Sequence, residues 1–240
     1  QSGWKIFFRS SGARPPRLSA ISSTTSRASG VRPLTEMTPS AGSVKFEGSE
    51  ISGVAPDELA RRGMSRTFQN LQVCMNLSAL DNVMIGGHLK LNSGMLAAML
   101  RWPGLSSADR KARARAAELL AFVGCERYIH ADANQMPYGA LKRLEIARAL
   151  AADSKILLLD EPAAGLNHTE THEIEELIGK LAQSGLTVVL VEHDMKLVMA
   201  VSDQILVLDY GKRLAEGTPA EIQANPDVIS AYLGGEIEGE

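Results

Sequence analysis

The sequence predicts an α/β domain in which a parallel sheet is covered by helices on both faces. Three observations carry that expectation. Ile156–Leu159 and Val188–Val191 are short, unbroken apolar runs, the second within a strand from Thr187 to Val191, typical of strands buried on both faces. Between and around them lie stretches with apolar residues at helical spacing. This alternation of buried strand and amphipathic helix is the pattern of a layered α/β fold. At 240 residues, 45% hydrophobic and 22% charged, the chain can build one sizeable domain plus a tail.

The elements follow in order from residue 43. Val44-Lys45-Phe46 alternates as a strand should, and Gly48 punctuates it. Pro56 to Arg62 reads as a short helix with proline in the first turn, where its missing N–H costs nothing. Met64 to Phe68 is a strand. Ser106-Ser107-Ala108-Asp109 opens a longer helix with Ala112, Ala116, Leu119, Leu120 and Val123 on one side, closed by Gly124. Ala140 to Ala152 is a helix, and so is Thr169 to Gln183, with Ile174, Leu177, Ile178 and Leu181 on one side. Met195 to Ala200 is a short helix and Gln204 to Leu208 a third strand. No repeat of solenoid period is visible.

Residues 1–42 differ in kind. They are rich in Ser, Arg, Pro and Thr, lack a sustained period, and are expected to be irregular, as a disordered or non-native stretch. Residues 1–35 hold six basic side chains and no acid, so a net charge of −3 divides into +6 there and −9 in the remainder. An Arg-rich, Ser-rich, acid-poor start is also how a transit peptide reads, although Pro15-Pro16 and the initial Gln1 speak against it.

Some function classes are excluded at this level. No apolar run approaches the roughly 18 residues of a spanning helix. Cys74 and Cys125 are too few for a disulfide framework and too far apart for a metal knuckle, so a reducing compartment is expected. The basic run Arg110-Lys111-Ala112-Arg113-Ala114-Arg115 lacks interleaved aromatics and sits in an acidic body, so a solvated helix face is expected and no nucleic-acid partner.

Chemistry concentrates at Ile156-Leu157-Leu158-Leu159-Asp160-Glu161-Pro162. An apolar strand there ends in two adjacent carboxylates, at the sheet edge where ligands of open α/β folds bind. Such a pair suits a Mg²⁺-nucleotide site: one acid holds the hydrated metal, the other polarises a water for in-line attack on a phosphate. The plainer alternative is a buried strand followed by a solvated acidic turn. Upstream lies Met136-Pro137-Tyr138-Gly139-Ala140-Leu141, at the start of a helix, whose free N–H groups and positive dipole end suit a phosphate. Downstream come Ala163-Ala164-Gly165-Leu166-Asn167 and Val189-Leu190-Val191-Glu192-His193-Asp194.

That order of segments resembles the ATP-binding subunits of ABC transporters, over about Thr35 to Glu240. The Pro-Tyr-Gly turn, Arg143-Leu144-Glu145-Ile146-Ala147-Arg148, the Ala-Gly-Leu-Asn turn and the ending Ala224-Asn225-Pro226-Asp227 resemble the branched-chain amino-acid importers in particular. The resemblance implies a P-loop NTPase-like ABC ATPase domain over 43–240, with a helical subdomain at about 86–135, and ATP and Mg²⁺ as cofactors. It implies that Asp160 organises Mg²⁺, that Glu161 is the general base and that His193 reaches the γ-phosphate. Gln69, within Arg66-Thr67-Phe68-Gln69-Asn70, would sense the metal, and Tyr138-Gly139 would cap the nucleotide of the opposite subunit. The implied partners are a second ABC ATPase subunit in a head-to-tail dimer and transmembrane permease subunits. The implied location is peripheral, at the cytoplasmic face of the inner membrane. Ala140 and Leu141 depart from the family, which usually has polar residues there.

One motif is missing. A phosphate loop needs G-x-x-x-x-G-K-[ST], and neither Gly179-Lys180 nor Gly211-Lys212 fits, since Ile174 and Leu206 stand at the first glycine and Leu181 and Arg213 follow the lysines. The expectation is that the N-terminal nucleotide-binding segment is lost, replaced or read in a wrong frame. The function implied is an ATP-hydrolysing subunit of an importer; the alternative is a non-catalytic subunit, or inactive fragment, that completes a partner's site.

Overall fold

The structure, a computed structural model, describes residues 5–9, 43–88 and 103–233. Its centre is a six-stranded sheet formed by β1 (Lys5–Arg9), β4 (Met64–Arg66), β5 (Ile156–Asp160), β6 (Thr187–Val191), β7 (Gln204–Asp209) and β8 (Lys212–Gly217), in the spatial order β4-β5-β6-β1-β7-β8. Strands β4, β5 and β6 are parallel, as expected. The sheet as a whole is mixed, which corrects the parallel expectation. Strand β1 runs antiparallel to both β6 and β7, and β8 returns antiparallel along β7 through the Tyr210-Gly211 turn. That β1 forms at all departs from the irregular reading of residues 1–42. Parallel β6 and β7 would otherwise face each other with unpaired N–H and C=O groups, and β1 satisfies both edges.

β2 (Lys45–Phe46) and β3 (Ser49–Glu50) form a hairpin whose two turn residues, Glu47 and Gly48, both have positive φ, the geometry that matches strand twist. With α1 (Pro56–Arg61) it covers one face of the sheet. Phe46, Ile51 and Leu59 pack there on Ile156, Leu158 and Val189.

The opposite face bears the larger core. The period of two along β5 sends Leu157 and Leu159 to that side, with Val188 and Leu190 of β6. Against them pack α4 (Tyr138–Leu150), α5 (His168–Gln183) and α6 (Met195–Val201), through buried residues including Leu144, Ile178 and Val198. The predicted apolar stripe of α5 is buried as expected: Ile174, Leu177, Ile178 and Leu181. Its start is fixed by a capping box, Asn167 Oδ1 accepting from the Glu170 N–H at 3.0 Å while Glu170 Oε2 accepts from the Asn167 N–H at 3.1 Å.

Helix α3 (Pro103–Phe122) begins three residues before the predicted start, with proline opening it. It ends where Gly124 takes φ +71°. Its basic residues Arg113 and Arg115 are exposed and pair with Asp109 and Glu118 along the helix, as a solvated face should. Helix α2 (Ala79–Gly86) was not foreseen; Ser78 caps it by accepting from the Asp81 N–H at 3.1 Å. Two further short helices, α7 (Pro219–Gln223) and α8 (Pro226–Val228), close the described chain before the turn at Ile229–Leu233.

Candidate functional site

Strand β5 delivers Asp160 at its C-terminal end, and the chain then turns sharply. Glu161 takes φ +44°, a left-handed conformation that costs a side-chain-bearing residue about 1–2 kcal/mol. Its N–H donates to the Val191 carbonyl at 2.8 Å, which ties the turn to the end of β6 and holds the strained residue in place.

Around Glu161 the structure gathers side chains from two other segments. Gln69 Nε2 donates to Glu161 Oε2 at 2.9 Å. His193 Nδ1 lies 3.6 Å from Glu161 Oε1. One carboxylate thus meets a predicted residue at each oxygen, although 124 residues separate Gln69 from His193 in the chain. Asp160 faces another partner: Arg66 Nη2 donates to its Oδ2 at 2.6 Å, in a pair largely removed from solvent. The Asp160 N–H also donates to Thr67 Oγ1 at 3.3 Å, so β4 and the segment after it hold both acids.

Tyr138 and Gly139 stand apart from this triple, at the start of α4. Tyr138 rests on Gly165, where a Cβ would come within 3.3 Å of the ring. At Gly139 a Cβ would lie 2.5 Å from Glu170 Oε1, the carboxylate that completes the α5 capping box. The Tyr-Gly turn therefore packs against the segment that follows the acidic pair.

Two functional-looking residues escaped the sequence reading. Arg66 lies within the quoted Arg-Thr-Phe-Gln-Asn stretch but carried no role; its signal was a lone cation at the end of a strand neighbouring Asp160. Glu192 is 2% exposed, and its carboxylate accepts from the Ala163 N–H at 3.1 Å and the His193 N–H at 3.0 Å. It binds the turn after the acidic pair to the turn that carries His193. Its only sequence signal was a charge directly after a buried apolar strand.

Asp160 and the Gln69 amide supply hard oxygen donors, which Mg²⁺ prefers, and Mg²⁺ usually takes one or two protein ligands with the rest from phosphate and water. The set therefore fits a metal shared with a nucleotide. Among the described residues no cluster of three or more His, Cys, Asp or Glu could hold a metal by itself.

Known proteins share both sequence and architecture with this chain. Residues 33–164 match the family described as "ABC transporter", and residues 212–238 match "Branched-chain amino acid ATP-binding cassette transporter". The high-affinity branched-chain amino acid transport ATP-binding protein BraF of Pseudomonas aeruginosa is 43% identical over 197 residues, 82% of this chain and 77% of that protein. LivG of Escherichia coli, of the same description, is 41% identical over 197 residues with the same coverage. Among solved structures, the ADP conformation of MJ1267, an ATP-binding cassette of an ABC transporter, superposes with a TM-score of 0.69 at 26% identity, covering 84% of this chain and 82% of that one. The dimeric post-hydrolysis state of the cassette MJ0796 with ADP and Pi superposes at 0.62, with 28% identity over 76% of this chain and 75% of that one. The chain belongs to the ABC transporter family of ATP-binding proteins, an ATPase family, and stands within it beside the branched-chain amino acid transport proteins.

Proposed function

We propose that the chain is the ATP-binding, ATP-hydrolysing subunit of an importer for branched-chain amino acids, coupling hydrolysis to solute uptake. The observation that carries this reading is the convergence of Gln69 and His193 on the two oxygens of Glu161 at the end of β5. In it, Glu161 accepts the proton of the attacking water. Each carboxylate oxygen has two lone pairs, so an oxygen engaged by one neighbour keeps capacity for a water. Gln69 and His193 orient that carboxylate, and His193 also faces the γ-phosphate. Asp160, with Gln69, would hold Mg²⁺, which when bound would supply charge neutralisation for the transferring phosphoryl group. Arg66 balances the charge of Asp160. Tyr138 and Gly139 present the N-terminus of α4 to the nucleotide of a second ATPase subunit in a head-to-tail dimer. The expected helical subdomain at about 86–135, of which residues 89–102 lie outside the described residues, docks on transmembrane permease subunits, at the cytoplasmic face of the membrane. No helix among the described residues is long and apolar enough to cross a membrane.

A second reading is supported by the absence of G-x-x-x-x-G-K-[ST] from the 240 residues. In that reading the chain contributes its Tyr-Gly turn to a partner's site and hydrolyses nothing at its own carboxylates. One comparison separates the two: ATP turnover by the chain alone, by the chain with a complete second subunit, and by that pair carrying Glu161→Gln. The first reading expects little turnover alone, turnover in the pair, and, once the second subunit's own catalytic base has been removed, a loss of about 10²–10⁴-fold with Glu161→Gln, the usual contribution of a general base. Unchanged turnover in the Glu161→Gln pair overturns it in favour of the second. Micromolar Mg·ATP affinity of the chain alone, read by calorimetry, would overturn the expectation that the nucleotide grip is missing.

A further inference from the structure

Helix α4 carries Lys142, Glu145 and Arg148 at three-residue spacing, so the three charges form one stripe. Lys142 is 3% exposed and Glu145 6% exposed, an expensive placement for charge. Their partners explain it. Lys142 Nζ donates to the Gln69 carbonyl at 3.3 Å. Glu145 Oε1 accepts from the Phe68 N–H at 3.3 Å. Arg148 Nη1 donates to the Gln72 carbonyl. The helix presents cation, anion, cation; the segment presents carbonyl, amide, carbonyl.

This segment, Phe68 to Gln72, has no regular structure, and Phe68, Gln69, Asn70 and Gln72 are exposed. Main-chain groups outside a ladder or a helix need other partners to hold one position. The charged stripe is that partner. It grips main-chain atoms on both sides of the Gln69 Cα, while the Gln69 side chain reaches across to Glu161.

We propose that Lys142, Glu145 and Arg148 are positioning residues for Gln69: they hold its segment so that the side-chain amide meets Glu161, and they tie that contact to the placement of α4. The helix that opens with Tyr138-Gly139 and the amide that orients Glu161 thus move as one body within the same chain. Lys142 extends the connection toward the helix start, its ammonium lying 5.7 Å from the Tyr138 ring centroid. The proposal rests on the assignment of Glu161 as the reacting carboxylate, but the contact itself is measurable without turnover.

The test uses the ¹⁵N-labelled 240-residue chain and compares Glu145→Ala, Glu145→Gln, Lys142→Met and a control, Ile146→Val, a core residue of the same helix. Backbone amide exchange at Phe68 and the side-chain NH₂ resonances of Gln69 are followed, alongside melting temperature. Glu145→Ala should speed exchange at Phe68 by about tenfold or more and shift the Gln69 NH₂ signals. Glu145→Gln keeps one acceptor oxygen and should restore part of the protection at Phe68. Lys142→Met should shift the Gln69 NH₂ signals, and it carries the test if Glu145→Ala does not fold. Ile146→Val should lower the melting temperature and leave both probes in place. Unchanged exchange at Phe68 in Glu145→Ala, unchanged Gln69 signals in Lys142→Met, or an equal response to Ile146→Val overturns the proposal. Because no probe reads hydrolysis, failure of the base assignment would show in turnover of the Glu161→Gln pair and leave these signals where they are.

Discussion

Replacing Glu192 tests how the two turns of the site are held. Its carboxylate accepts from Ala163 at 3.1 Å through Oε1 and from His193 at 3.0 Å through Oε2. The Asp194 N–H, at 3.5 Å from Oε2, sits at the limit of a hydrogen bond and adds little. Hydrogen bonds to a charged group contribute about 1.5–3 kcal/mol each, so Glu192→Leu forfeits about 3–6 kcal/mol. Leucine regains about 1–2 kcal/mol by burying apolar surface where a carboxylate was desolvated. The expected net loss is therefore about 1–5 kcal/mol. Glu192→Gln retains one acceptor oxygen and turns an NH₂ toward the other amide, so it should lose about 1.5–2.5 kcal/mol. Urea unfolding followed by circular dichroism measures both, with an unchanged m-value indicating that only stability has moved. A loss under about 1 kcal/mol for Glu192→Leu, or equal losses for the two variants, would refute the two-amide account.

Other substitutions probe the packing and the charged stripe. Burial raises the Glu145 carboxyl above its ordinary range, opposed by the Phe68 amide, Lys142, the Gln72 amide and Arg148. Its contribution to stability is then complete below the ordinary carboxylate range and is lost as pH rises through the raised folded value. The stability of the native chain relative to Glu145→Gln should accordingly fall with pH across that window and level off above it; a difference that grows with pH contradicts this. Gly165→Ala puts a Cβ at φ +78° and 3.3 Å from the Tyr138 ring, and should cost about 1–2 kcal/mol in urea unfolding; no loss would show that neither constraint is real. Leu144→Ala empties a fully buried position between α4 and the sheet and should cost about 2–5 kcal/mol, while a loss below about 1 kcal/mol would mean that the core collapses around the gap.

Where a residue's environment is set by its own neighbours in the chain, the sequence was informative. The unbroken apolar runs Ile156–Leu159 and Val188–Val191 named two parallel neighbours, and the four-residue stripe from Ile174 to Leu181 named the face of α5 that is buried. The acidic pair at the end of β5 was legible because the strand before it was. Strand β1 was not, since three apolar residues between two cations, Lys5 to Arg9, in a Ser- and Arg-rich stretch find their partners nearly two hundred positions away. Strand β8, Lys-Arg-Leu-Ala-Glu-Gly, is an edge strand with one neighbour, and its polar composition carries no signal of burial. Eight residues of α2 make barely two turns, too few for a period to emerge. The partners of Arg66, Lys142, Glu145 and Glu192 depend on which loops the fold brings beside them. A charge in a sequence says that a partner is needed, without saying which.

The position of β1 also sets an order of events during synthesis. Lys5–Arg9 is made well before its neighbours Val188–Val191 and Gln204–Val207. At about 5–20 residues per second, roughly ten to forty seconds pass before those neighbours exist. Hairpin β2–β3, α1, β4 and β5 can begin to assemble in that interval, because their contacts, Val189 of β6 apart, lie within residues 44 to 160. Strand β1 is thus seated only after β6 and β7 have been made, and the middle of the sheet stays open until the C-terminal third of the chain has emerged.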